Sequence, residues 1–230
     1  MKTLGLLGGM SWESTLPYYR LINQGISAAL GGLHSANLVL YSVDFAEIAR
    51  LQAEGDWQRA GDLLAGKAVL LQKAGAEAIV LCTNTMHKVA ETIEWACPLP
   101  LLHIADATAL EINAQGARRV GLLGTRFTMQ QDFYRQRIEH PHGIEVILPP
   151  AVEMDEIHRI IFEELCLGII RDESRGTFRR IIASLERRGI DGLILGCTEI
   201  GLLVGNDDAT VPLFDTTTIH AAAAVAFALG

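Results

Sequence analysis

The tetrapeptide GLLG occurs at residues 5–8 and again at 121–124, and this 116-residue offset restricts the fold more than any other feature of the chain. Tyr18 and Tyr134 keep the same offset, each in the helical pattern that follows its GLLG. Thr83 and Cys197 lie 114 apart, each where an apolar run (AIVLC, GLILG) meets a polar turn. Any two α/β halves share apolar strands that end in glycine, so GLLG alone carries little weight. Three matched features within two positions of one offset point to duplication of an α/β unit.

The pattern around the repeat agrees. Strand-like runs at 3–7, 36–42, 78–81, 101–104, 119–123, 144–148, 192–195 and 211–214 alternate with amphipathic stretches such as 56–74, 153–167 and 172–188. Alternation of this kind predicts an α/β fold, with two pseudo-symmetric, doubly wound parallel-sheet domains. The expected division is residues 1–98 plus 210–230 for one lobe and 99–209 for the other. The tail 220–230, HAAAAVAFALG, reads as a helix packed on the first lobe, and Pro141, Pro149 and Pro150 read as loop punctuation. Parallel α/β sheets hold ligands at the carboxyl ends of their strands. Two such lobes facing across a cleft would bring the Thr83 and Cys197 turns to opposite sides of one small ligand.

Composition removes several function classes. The formal net charge of -8 leaves no basic surplus to displace counterions from nucleic acid. No run of 18 apolar residues occurs, so no membrane partner is expected. The opening MKTLGLLGGM is broken by glycines and reads as a first strand rather than a leader. Four cysteines, Cys82, Cys97, Cys166 and Cys197, lack zinc-site spacing and are too few for a disulfide scaffold, which suits a reducing cytoplasm. The seven histidines show no metal-binding spacing, and His140 and His142 around Pro141 read as a surface turn. Neither GxGxxG nor GxxxxGK[ST] is present, so no nucleotide cofactor is expected.

The segment 195–201, LGCTEIG, places Cys197 just past a strand and before an expected helix. Backbone N–H groups and a helix start there predict a thiol shifted toward neutrality. Cys97 and Cys166 read as small buried hydrophobes. In the counterpart 80–88, VLCTNTMHK, Asn84 and Thr85 stand where Thr198 and Glu199 stand in the other half. Thr83 is therefore the partner of Cys197, and Cys82 a core residue.

The TNT turn at 83–85, GCTE at 196–199 and the opening LGLLGGMSWEST resemble the aspartate/glutamate racemase family. VDF at 43–45, LQAEGDW at 51–57 and the EEL helix near Glu163 extend the likeness over essentially the whole chain, most closely to the L-aspartate/glutamate-specific members. The resemblance implies racemisation of an acidic amino acid without pyridoxal phosphate or metal. Cys197 and Thr83 would act as acid/base pair on opposite faces of the α-carbon, with Met10, Gln52, Asn84, Thr85, Thr198 and Glu199 around the substrate. It is compatible with a homodimer. Most relatives carry cysteine where Thr83 stands, and a threonine hydroxyl cannot be held as an anion near neutral pH. The expected consequence is unequal turnover of the two enantiomers. Relatives often carry a lysine near the end of the EEL helix, whereas Cys166 and Leu167 stand here; Arg50, Arg126 and Lys88 are the replacement candidates for a distal carboxylate. A single-cysteine decarboxylase or isomerase of dicarboxylates, and an inactive amino-acid-binding protein, are the competing readings.

Overall fold

Short runs of Leu, Val and Ile with no polar face suit parallel strands covered by helices on both sides. Eight such runs are strands in the computed structural model, which describes residues 1–230. By compactness the chain divides into unit 1, residues 1–104 with 220–230, and unit 2, residues 105–219.

In unit 1, β1 (Leu4–Gly8), α1 (Trp12–Leu30), β2 (Leu38–Ser42), α2 (Phe45–Glu54), α3 (Trp57–Lys73), β3 (Ala78–Leu81), α4 (Ala90–Ala96) and β4 (Leu101–Leu102) follow in order. Asp44 and Asp56 cap α2 and α3, accepting from the backbone N–H groups of Ala46 and Arg59 at 3.0 and 3.1 Å. α5 (Ile104–Ala114) begins at the last residue of this stretch of unit 1 and leads, in unit 2, to β5 (Arg119–Gly124), α6 (Arg126–Gln130), α7 (Asp132–His142), β6 (Glu145–Ile147), α8 (Ala151–Glu163), α9 (Asp172–Arg187), β7 (Gly192–Gly196) and β8 (Leu213–Asp215). The last helix, α10 (Thr216–Leu229), begins in unit 2 and carries the chain back into unit 1.

Both sheets are parallel and share one strand order, β2-β1-β3-β4 and β6-β5-β7-β8. The repeated GLLG forms the second strand in each. A Cβ on Gly5 would lie 2.8 Å from the Ala76 Cβ and 3.3 Å from the Leu71 Cβ, and one on Gly121 would lie 2.8 Å from the Leu193 side chain and 3.2 Å from Leu185. Glycine stands at both places because the packed side chains there leave no room for a Cβ.

Successive β3 residues serve opposite faces. Ile79 and Leu81 pack with Ile48, Leu51 and Leu64 of α2 and α3, whereas Val80 and Cys82 pack with Tyr18 and Ile22 of α1 and Ala221 and Ala224 of α10. Gly25 of α1 lets α10 approach closely, since a Cβ there would meet Val225 at 2.7 Å.

Four expectations change. Residues 99–104 and 210–219 exchange places between the lobes, because β4 pairs with β3 and β8 pairs with β7. Pro141, with His140 and His142, forms the last turn of α7 rather than a loop; Gly143, at φ 65°, ends that helix. Tyr134 falls in the second helix after its strand, since extended backbone at Gln131 separates α6 from α7. The helix expected to reach 167 stops at Glu163, and Leu165–Leu167 forms a separate 3-10 turn closed by Gly168 in the left-handed conformation.

Tyr18 and His220 are both fully buried. The imidazole Nε2 lies 2.6 Å from the Leu102 carbonyl oxygen, so that nitrogen carries the proton, and Nδ1 accepts from the Tyr18 hydroxyl at 2.9 Å. Burial holds His220 down to about 4, so the folded unit keeps it neutral. The unfolded chain protonates it from about pH 6.5 downward. Stability is therefore full above that pH, falls as pH drops from 6.5 to about 4, and levels off below, with about 3 kcal/mol at stake. Urea midpoints measured across that range should show the decline, and His220→Gln, which cannot titrate, should flatten this part of it.

Candidate active site

The register of the two sheets places the candidate residues. Leu7 pairs with Leu81 in unit 1, and Leu123 pairs with Leu195 in unit 2. Leu7 and Leu123 are the same position of GLLG, so Leu81 and Leu195 are equivalent, and Thr83 and Cys197 each follow two residues later. Both turns leave the carboxyl end of the third strand in the shared order.

In unit 1 the chain turns sharply after β3, with the Thr83 N–H donating to the Leu81 carbonyl oxygen at 2.8 Å. Thr83, Asn84 and Thr85 are all buried, and a 3-10 turn, Thr85–Val89, follows. Cys82 points into the core, where burial drives its thiol far up, and its Sγ lies 3.5 Å from the Val80 carbonyl oxygen. Met10 packs in the same core cluster as Met86, whose sulfur receives the Gln52 Nε2–H at 3.0 Å. Gln52 Oε1 is buried without a hydrogen-bond partner. An orphaned buried acceptor costs about 1–3 kcal/mol, a cost that a donor on a bound ligand would remove.

In unit 2 the Cys197 thiol is buried and donates to Glu199 Oε2 at 2.9 Å. The Thr198 hydroxyl donates to the same oxygen at 3.0 Å. Cys166 Sγ reaches the other carboxylate oxygen at 3.7 Å. One buried carboxylate thus gathers three donors.

This geometry overturns the expectation of a depressed thiol pKa. Burial pushes the Cys197 thiol well up, and the charge of Glu199 pushes it further; a backbone N–H of Glu199 acts in the opposite direction and is outweighed. The expected helix after Cys197 is a single 3-10 turn, Ile200–Leu202, too short to supply a useful dipole.

Cys166 is also not the buried apolar residue expected. It is partly exposed, because the stop at Glu163 swings it off α8 and toward Glu199. No local pattern reveals this contact between residues 33 positions apart. Cys97 is buried with its Sγ 3.7 Å from the Ala68 carbonyl oxygen, as a core residue. Of the cation candidates, Arg50 pairs with Glu54 at 2.7 Å and Arg126 with Asp155 at 2.9 Å, both half exposed. Lys88 lies 3.9 Å over the Trp57 ring, with its pKa lowered by burial.

Residues 7–224 match the family model described as Asp/Glu/Hydantoin racemase. The chain is 25% identical over 229 residues to the broad specificity amino-acid racemase RacX of Bacillus subtilis (strain 168), covering 96% of each. It is similar to a Yersinia pestis protein whose crystal structure carries a provisional Asp/Glu racemase description (63% identity, TM-score 0.92, 100% of both chains). An aspartate racemase homologue from Pyrococcus horikoshii OT3 superposes with TM-score 0.84 at 37% identity, again over 100% of both chains.

Removing the charge of Glu199 takes away a repulsion that opposes the thiolate. Alkylation of Cys197 followed against pH, with peptide mass spectrometry to separate it from Cys166, should have a lower midpoint in Glu199→Gln than in the native protein.

Proposed function

Because this chain belongs to the Asp/Glu/hydantoin racemase family, whose racemases work without pyridoxal phosphate, we propose that it racemises an acidic amino acid through Cys197 and Thr83. The observation that carries this reading is the register equivalence of the two turns, each leaving the carboxyl end of the third strand of its own sheet.

Cys197 removes the α-proton of the L-enantiomer, and Thr83 returns a proton, drawn through its hydroxyl from water, to the opposite face. The Cys197 thiol is protonated at rest, so it must first lose its own proton. Glu199 Oε2 is placed to accept it at 2.9 Å. Glu199, expected as a substrate contact, is on this reading the base that generates the thiolate. Proton transfer to a buried carboxylate also discharges the negative group that had opposed the thiolate.

The α-carbon is a far weaker acid than a thiol, and each unmatched pKa unit costs about 1.4 kcal/mol. Asn84 and Thr85 in the first turn and the Thr198 backbone in the second stabilise enolate charge on the α-carboxylate as preorganised donors. Gln52 Oε1 receives the substrate ammonium, and Met10 and Met86 form the adaptable apolar wall beside it.

Incubation of L-aspartate and L-glutamate in deuterated water should give α-deuteration and the D-enantiomer. Cys197→Ser should lower racemisation by about 10²–10⁴-fold. The two kcat/KM values of the native enzyme must agree, as the enantiomers are isoenergetic, while kcat should differ between directions. Thr83→Cys should raise the slower kcat. Retention of racemisation in Cys197→Ser would overturn the reading.

A further inference from the structure

His87, buried and four residues past Thr83, has a geometry that the reaction above leaves unused. Its Nε2 lies 3.2 Å from the Ile104 backbone nitrogen. A backbone amide only donates, so Nε2 carries the lone pair and Nδ1 the proton. The Nδ1–H donates to the Thr83 carbonyl oxygen at 2.7 Å. Both ring nitrogens are thereby committed to backbone, which fixes one neutral tautomer. The His103 ring, 4.4 Å away between centroids, and the His220 ring, 5.9 Å away, pack against it. The Thr83 peptide is then held from both ends, at its N–H by Leu81 and at its carbonyl by His87.

We propose that His87 is a positioning residue: by holding the Thr83 carbonyl to the start of α5, it sets the direction from which the Thr83 hydroxyl reaches the substrate. The inference rests on the reading of Thr83 as the proton donor. A misplacement of about 1 Å can cost about 100-fold in rate. Only inversion needs Thr83. Exchange of the α-hydrogen with retained configuration, by Cys197 removing and returning a proton on one face, does not. The ratio of inversion to retained exchange therefore isolates Thr83.

The experiment measures both rates for L-glutamate and L-aspartate in deuterated water, in the native enzyme and in Thr83→Ala, His87→Ala, His87→Asn and His87→Gln. The asparagine amide keeps a donor at the Nδ1 position, whereas glutamine keeps an acceptor near Nε2 and offers no donor to the Thr83 carbonyl. His87→Ala and His87→Gln should lower inversion by about 10- to 100-fold and leave retained exchange within about threefold of native. His87→Asn should restore most of the ratio. Glutamine keeps the test open should the alanine variant fail to fold. A native ratio in His87→Gln, whether both rates fall together or neither does, overturns the proposal. A native ratio in Thr83→Ala overturns the reading of Thr83, and the role of His87 with it. A collapsed ratio in Thr83→Ala with a native ratio in His87→Gln removes His87 alone.

Discussion

One parallel pairing, Leu7 with Leu81 and its copy Leu123 with Leu195, sets everything downstream of it. Strand register is strongly specified where a face is buried, because a slip of one residue sends every side chain to the opposite face. In unit 1 helices cover both faces, and the glycines at 5 and 121 leave no room for a side chain at the same point of each sheet. The height at which each chain leaves its sheet follows, and with it the position of one hydroxyl and one thiol.

The two turns solve different problems. At Thr83 the backbone is pinned, and the hydroxyl stays neutral in any environment. At Cys197 the surroundings work against the reactive form, since the thiol is dry and faces a carboxylate. A thiolate left standing in such a site would also be open to oxidation. On the mechanism proposed above, keeping the proton on sulfur until it is passed over 2.9 Å to Glu199 would limit the reactive species to the moment of turnover. Cys166, partly exposed beside the same carboxylate, lies close to this exchange.

Much of this is legible in the amino-acid sequence. All eight strands stand within two residues of where apolar runs predict them, because parallel strands buried on both faces leave few places for polar residues. The equivalence of Thr83 and Cys197 was readable from the offset. What was not legible depends on distant pairs. The lobe boundaries turn on which sheet accepts β4 and β8, and each of these strands has only two or three residues to announce itself. The Glu199–Cys166 contact spans 33 positions and depends on where α8 stops. The raised thiol pKa follows from burial, which spacing does not report. His87 left a trace, four residues past Thr83, but its second partner, Ile104, is 17 positions away.

The return of α10 has a consequence for the order of assembly. The Ala221, Ala224 and Ala228 side chains complete one face of the unit 1 core, and the Lys2 N–H donates to the Ala228 carbonyl oxygen at 2.9 Å. Residues 220–230 are synthesised after the whole of unit 2. The half of the chain made second is thus the first whose interior can close, while the half made first waits with an apolar surface open.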